Sequence, residues 1–336
     1  MSLGNEVFQL SYSAESTYLT CPFRYAAEKI YRLPIDEDAS DDTTAFRWGK
    51  VVHGVMEDTD WNGKNYTEKI FEAHLLEQGF MRKMESGKIA LQEMKDNQLV
   101  FAMFAAIQSL YAFSKKQKLK TVCCEFKIDL PWLLGYIDQI CVDENGFWWI
   151  RDLKTSGRIS EKEYVRLSRD RQCNVYAHPE VLELIEKELG LAHERFMGVR
   201  YTVVFKTTAV VKAGETREAY AKRTKPKIVE AVIPKEGLDP KKIKSEHIRS
   251  IETLNIYRND KTLEPPRVFG GASCYSYMRP CPYWSRCYGK TYTESEKELE
   301  IVTLDTVKPV LTPLPEHEVV SAPKTDEDDF NLEDLF

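Results

Sequence analysis

The sequence predicts an α/β chain in which helices precede, interrupt and follow a mixed central sheet. Three observations carry this. Apolar residues recur at helical spacing through most of the first third of the chain, as in Val100, Phe104, Ile107 and Tyr111. The runs 122–130, 133–143 and 147–153 are rich in β-branched and aromatic residues, with Asp143-Glu-Asn-Gly146 as a hairpin turn between the last two. Strand texture returns at 197–206 and 228–233, after helical patterns at about 160–177 and 180–189.

Taken in order, Ser13 is the candidate N-cap of a helix over 14–30, interrupted at Cys21-Pro22. A helix over 45–57 sets Gly49, His53 and Glu57 on one stripe. Residues 66–116 read as helical throughout. The basic stretch 212–227 reads as an exposed hairpin or loop, and 239–258 as a polar helix with Ile243, His247, Ile251 and Leu254 on one side. Residues 1–300 are expected to form the folded domain and 301–336 a disordered acidic tail.

At 336 residues, 43% hydrophobic and 30% charged, the composition is globular and excludes collagen-like, mucin-like and wholly disordered chains. There is no apolar run of the roughly 18 residues that a membrane helix needs. The start MSLGNEVFQL has no secretory pattern, so a cytoplasmic location is expected. The net charge of −6 hides an asymmetry. Residues 301–336 hold nine acidic residues against Lys308 and Lys324, a local −7 that leaves +1 for the rest. Residues 200–250 carry 13 Lys and Arg against 6 Asp and Glu, a local +7 suited to a phosphate backbone. The eight cysteines are expected to be thiols or metal ligands rather than disulfides.

The main chemical signal is Asp138 followed by Asp152-Leu153-Lys154. In a hairpin turning near residue 145, 138 and 152 lie opposite each other, and Asp152 and Lys154 share a face. Two like charges side by side raise a pKa, and a hard divalent cation such as Mg²⁺ removes that conflict. The bland alternative is a surface hairpin with a cross-strand salt bridge. Ile137 and Ile140 around Asp138, and Trp148-Trp149-Ile150 before Asp152, favour core strands instead.

Gly135-Tyr-Ile-Asp138, Asp152-Leu-Lys154-Thr155 and Gln172-Cys-Asn-Val-Tyr176 together resemble the RecB-like branch of the PD-(D/E)XK nuclease superfamily. Gly49-Lys-Val-Val-His53, Leu10-Ser-Tyr-Ser13 and Cys21-Pro-Phe-Arg-Tyr25 match its upstream motifs, in its order, so the resemblance spans residues 10–288. It implies a restriction-endonuclease-like mixed sheet flanked by helices. It also implies that Asp138, Asp152, His53 and the backbone carbonyl of Leu153 hold Mg²⁺ or Mn²⁺, with Lys154 as the catalytic lysine. Gln172 and Tyr176, one helical turn apart, would position the strand or support Lys154. Glu125 is a further candidate carboxylate, with a structural role as its alternative.

Cys274, Cys281 and Cys287 lie among aromatic and basic residues and need a fourth soft ligand, for which Cys21 is the candidate. One early and three late cysteines resemble the iron–sulfur nucleases of the superfamily, among them AddB-type helicase–nuclease subunits and CRISPR-associated adaptation nucleases. The resemblance implies a [4Fe–4S] cluster tying the ends of the nuclease domain together. The six residues between the first two late cysteines depart from the spacing of two that the family often has. Zinc on four thiolates is the alternative.

Lys212, Arg217, Lys222, Arg223, Lys225 and Lys227 are candidates for gripping DNA phosphates, with Arg166, Arg169 and Arg171 beside Gln172. The tail, ending Asn-Leu-Glu-Asp-Leu-Phe336, resembles the acidic Phe-ending tail of single-stranded-DNA-binding proteins and is a candidate dock for replication or repair partners. No Walker A pattern is present, so a helicase motor would be another chain. The expectation is a metal-dependent DNA exonuclease acting on single strands or duplex ends in recombination, repair or replication. The alternative is a non-catalytic, cluster-stapled DNA-binding scaffold.

Overall fold

The computed structural model describes residues 8–36, 44–84, 89–91, 94–157, 167, 170–268, 274–276 and 279–289. Arg166, Arg169 and the acidic tail lie outside them.

Helix α1 (Tyr12–Thr20) starts two residues earlier than Ser13 predicts, because the Ser11 hydroxyl accepts from Ala14 N at 3.2 Å and is the N-cap. Cys21 takes an extended conformation and breaks the helix, and Pro22 opens the short α2 (Pro22–Tyr25), where its missing N–H costs nothing. Helix α3 (Thr44–Asp58) buries Trp48, Val51, Val52, Val55 and Met56 along one side. Gly54 lets the His74 ring approach closely, and a Cβ there would lie 2.4 Å from it.

The expected long helix over 66–116 is two helices with a hairpin between them. Helix α4 (Glu68–Glu77) ends before Gly79 (φ +68), which only glycine adopts without strain. Strands β1 (Met81–Lys83) and β2 (Ile89–Leu91) pair antiparallel ahead of α5 (Met94–Gln117). The helical spacing read there belongs to α5.

Strands β3 (Lys120–Leu130), β4 (Leu133–Val142) and β5 (Trp148–Ser156) form the expected meander. The Asp143 carboxylate accepts from Asn145 N and Phe147 N and shapes the turn, with Gly146 at φ +78. Helices α6 (Arg171–Tyr176) and α7 (Pro179–Leu189) carry the chain to β6 (Phe196–Phe205), which lies parallel to β5. Residues 217–224 form a helix, α8 (Arg217–Thr224), in place of the expected loop. Thr216 caps it, and the fully buried Tyr220 anchors it edge-on to Phe101. A single anchoring residue leaves no periodicity to read. Strand β7 (Ile228–Pro234) and helix α9 (Ile243–Asn259) follow. The pairs β8 (Tyr275–Ser276) with β9 (Arg279–Pro280), and then α10 (Trp284–Tyr288), end the described chain.

The five-stranded sheet runs β3-β4-β5-β6-β7, parallel at β5–β6 and antiparallel elsewhere. Ile150 and Val203 point into a core with Val175 of α6, Val181 of α7 and Leu254 of α9. Leu153 and Val204 point the other way, onto α3, α4 and α5. This is a mixed α/β fold with helices on both faces. Among the described residues no helix is long and apolar enough to cross a membrane.

Candidate active site

The β4–β5 ladder has the register expected from the turn, with Val142↔Trp148 through Gln139↔Arg151, and it stops one rung before Asp138 and Asp152. The two carboxylates therefore do not face each other as a regular cross-strand pair. Asp138 Oδ2 instead accepts a hydrogen bond from Leu153 N at 2.7 Å, closing the fork where the strands part. Along an extended strand the N–H and C=O of one residue point to the same edge, so the Leu153 carbonyl also faces the fork.

The β3 side is irregular at the same level. Cys124↔Gln139 and Phe126↔Ile137 pair, but Glu125 and Asp138 between them do not, and Glu125 takes φ +48. A left-handed non-glycine residue stores backbone strain, which concentrates at functional sites. Ile137 and Ile140, three apart, both enter the same core, so the side-chain alternation slips across Asp138. This defect lifts Asp138 out of the regular pleat.

His53 reaches the fork from α3, its Nδ1 3.4 Å from Asp138 Oδ2. Gly49, one turn earlier, lets α3 pass close to β5, since a Cβ there would meet Thr155 Oγ1 at 3.3 Å. Asp152, on β5 beside the fork, is 1% exposed. The Lys154 ammonium is 2.7 Å from Asp152 Oδ2, yet that oxygen has no hydrogen bond of good geometry. Charge pairs these two groups, but the lone pairs of Oδ2 are not used up. Burial pushes the Asp152 carboxyl up to about 7, against the pull of Lys154. Burial pulls the Lys154 ammonium down, but Asp152 and Asp138 outweigh it and hold its pKa above the ordinary range.

Helix α6 fixes Lys154 from its other side. Lys154 Nζ donates to Gln172 Oε1 at 2.8 Å, Gln172 Nε2 donates to the Tyr176 hydroxyl at 2.6 Å, and that hydroxyl donates to the Tyr136 carbonyl at 3.0 Å. Burial, then Asp152 and Asp138, keep the Tyr176 phenol protonated. Burial, then Asp138 and Glu57, push the Glu125 carboxyl up to about 7, so it lies close to Asp138. Contacts thus link His53 to Asp138, and Lys154 to Asp152, Gln172 and, through Gln172, Tyr176, but among the described residues His53, Asp138 and Asp152 do not place three ligand atoms within 4.8 Å of one another.

Sequence reasoning missed the brace behind α6. Asp170 caps the helix by accepting from Gln172 N at 3.0 Å, and it also accepts from the Tyr12 hydroxyl at 2.5 Å. Glu15, fully buried, lies 2.9 Å from His247 Nδ1, while His247 Nε2 faces the Leu10 carbonyl at 2.8 Å. Each ring nitrogen of His247 thus faces an oxygen. Arg171 closes the group on Glu15 at 3.3 Å and Glu246 at 2.5 Å, so its charge is already balanced. The one readable signal was His247 on the inner side of α9.

The other basic candidates divide. Arg217 is paired with Glu68 at 2.5 Å, and Arg223 binds Glu215 through two nitrogens at 2.7 Å. Lys212, Lys222, Lys225 and Lys227 are exposed. Their surroundings on and around α8 pack against α5, separate from the fork.

The cysteines assemble at the chain's two ends. Cys21 and Tyr283 are buried together, with Cys281 and Cys287 packed against them. Burial raises both the Cys281 thiol and the Cys287 thiol, the latter to about 11, and Cys21 and Cys274 add to each. Cys281 N donates to Cys274 O at 2.7 Å. The early and late segments are sewn together by Phe23 N on Pro266 O at 3.2 Å, Asp36 N on Pro282 O at 2.8 Å and Ser285 N on Asp36 Oδ2 at 2.7 Å. All four are free thiols.

No curated protein matches the chain. The family model of the PD-(D/E)XK nuclease superfamily matches residues 9–288, which include the fork, α3, α6 and all four of these cysteines. The chain therefore belongs to the PD-(D/E)XK nuclease superfamily, whose members are generally metal-dependent nucleases.

Proposed function

We propose that the chain is a metal-dependent DNA exonuclease of the RecB-like branch, hydrolysing phosphodiester bonds of single strands or duplex ends in recombination, repair or replication. The observation that carries this is the buried Asp152 paired with Lys154 at 2.7 Å, beside a second carboxylate, Asp138, at a strand fork. The donor set fits Mg²⁺ or Mn²⁺: Asp138, Asp152 and the Leu153 carbonyl supply hard oxygens and His53 a nitrogen. Asp138 Oδ2 and His53 Nδ1, 3.4 Å apart, would be the two closest of these donors to a bound ion, and Asp152 would join them. When bound, such an ion supplies an activated water and neutralises charge on the phosphate.

The protein's own groups do the rest. Lys154, held charged by Asp152 and Asp138 and aimed by Gln172, offsets the negative charge that builds on a phosphate under attack. Tyr176 locks Gln172 in the orientation that presents its oxygen to the ammonium. The exposed Lys212, Lys222, Lys225 and Lys227 are proposed to hold phosphates farther along the strand, and the acidic tail to dock a protein partner.

For the cysteines we propose a [4Fe–4S] cluster on Cys21, Cys274, Cys281 and Cys287. Four soft thiols suit a soft metal centre, which would take them as thiolates on binding. Arg24 and Arg267 offset the charge of such a site, and Arg267 stacks 4.7 Å from Phe23 beside it. Anaerobic purification is expected to give a brown protein. A colourless protein with stoichiometric zinc overturns the iron–sulfur assignment.

The nuclease reading is tested with Mn²⁺ and end-labelled single- and double-stranded DNA blocked at either terminus. Metal-dependent mononucleotide release, lost in Asp152→Ala and Lys154→Ala, is expected. Undiminished digestion by cleanly purified variants refutes it, and DNA affinity with no hydrolysis at all favours a scaffold.

A further inference from the structure

Helix α3 has one face in the core, and its other face carries a line of residues leading to the fork. At 100° per residue, Phe46, Lys50, His53 and Glu57 fall within roughly 60° of one another. Three of the four suit a wet helix face, and Phe46 does not. It is 64% exposed and belongs to none of the apolar clusters. The Lys50 ammonium lies 4.7 Å from its ring centroid. A helix rises about 1.5 Å per residue, so Phe46 sits roughly 10 Å along the axis from His53.

A second exposed aromatic flanks the centre on the sheet. Tyr136 is 51% exposed and also lies outside the clusters. It precedes Asp138 by two positions on β4, about 7 Å away along the strand. Its cross-strand partner is Lys127 of β3, whose ammonium is already paired with Asp129 Oδ2 at 2.5 Å. The Tyr136 carbonyl is the end of the Lys154–Gln172–Tyr176 chain, which fixes its backbone against the catalytic group.

Single exposed apolar residues are common and need no function. Here two rings, each with a lysine neighbour, stand on the two elements that deliver His53 and Asp138. An aromatic face with an adjacent cation recognises an unpaired base and its phosphate. Duplex DNA keeps its base faces stacked and offers such a ring nothing. We propose that Phe46 and Tyr136 stack bases of a single-stranded DNA segment on either side of the centre, with Lys50 on a neighbouring phosphate. The segment entering the site is therefore single-stranded. This rests on the nuclease reading for the identity of the centre and adds the substrate form and the residues that select it.

The test measures binding of labelled oligo(dT), the same-length duplex and an abasic strand, all in EDTA so that nothing is cut. Both side chains are exposed and outside the core, so Phe46→Ala, Tyr136→Ala and Phe46→Trp should fold. Each alanine variant is expected to weaken oligo(dT) binding by about 5- to 150-fold. Duplex and abasic-strand affinities should stay unchanged, and Phe46→Trp should restore oligo(dT) binding. Unchanged oligo(dT) affinity in both alanine variants, or equal loss on all three probes, overturns the proposal. The nuclease reading fails separately, if wild-type protein with Mn²⁺ cuts no DNA or Asp152→Ala cuts as well as wild type.

Discussion

Replacing Tyr176 by Phe isolates one link of the chain that aims Lys154. The ring stays and only the hydroxyl leaves, so packing in the core is kept. Two bonds go, the one from Gln172 Nε2 at 2.6 Å and the one to the Tyr136 carbonyl at 3.0 Å. Tyr176 is 4% exposed, so water does not readily replace the lost partner. Leaving a buried polar group unsatisfied costs about 1–3 kcal/mol, so two affected groups imply roughly 2–6 kcal/mol of stability. The consequence for chemistry is indirect. An ammonium only donates, so Gln172 must present its oxygen to Lys154, and Tyr176 enforces that by taking the amide nitrogen. Without it the amide can turn over, and a misaimed lysine is expected to slow hydrolysis roughly tenfold, about 1.4 kcal/mol of lost transition-state stabilisation. Urea unfolding in EDTA reads the first quantity and Mn²⁺-dependent DNA cleavage the second. Stability within about 0.5 kcal/mol of wild type together with an unchanged kcat would refute the chain as a positioning device.

Glu15→Ala removes the buried partner of His247 and Arg171 and should cost about 3–5 kcal/mol in urea unfolding, where a loss below about 1 kcal/mol would mean the brace is idle. Burial raises the Glu15 carboxyl, but His247, Arg171 and Ser250 outweigh it and lower it. Its contribution is therefore present above the ordinary carboxylate range and lost as pH falls through the lowered value. Glu125 has the opposite sign. Raised to about 7 in the fold, it binds a proton that the unfolded chain has already released, so metal-free stability falls as pH rises from about 4.5 to 7. Glu125→Gln should reduce that slope, leaving the part due to Asp152, and stabilise the protein above pH 7 by about 1–2 kcal/mol, discounted for its partial exposure. An unaltered pH–stability curve would contradict the burial assigned to Glu125. Saturating Mn²⁺ should raise the wild-type Tm, by about 2.7 kcal/mol of stabilisation at a hundred times Kd, and leave Asp152→Asn unmoved.

Much of this was legible in the sequence, for reasons that can be stated. The meander β3–β5 was readable because β-branched and aromatic runs meet a turn whose Asp143 and Gly146 have only one good use. That register put residues 138 and 152 at one level. What pattern could not show is that the ladder ends there and that Glu125 is left-handed, because a missing rung leaves no mark on side-chain type. Gln172 and Tyr176 followed from helical spacing, but Asp170, Tyr12 and Glu15, which hold their helix, are joined only in three dimensions. Arg151 shows the same limit. It looks like a surface cation within a strand, yet it is 1% exposed, donates to Thr202 at 2.7 Å and packs 4.6 Å from the Trp61 ring. The α8 segment was misread because a polar run hid a helix whose one fully buried side chain is Tyr220.

Mn²⁺ binding followed by electron paramagnetic resonance tests the central claim most directly, since bound ion leaves the free six-line signal. Wild-type protein should take up Mn²⁺ stoichiometrically, and Asp138→Asn with Asp152→Asn should leave the ion free while the fold persists. Equal uptake by both proteins would place the ion elsewhere and contradict the account.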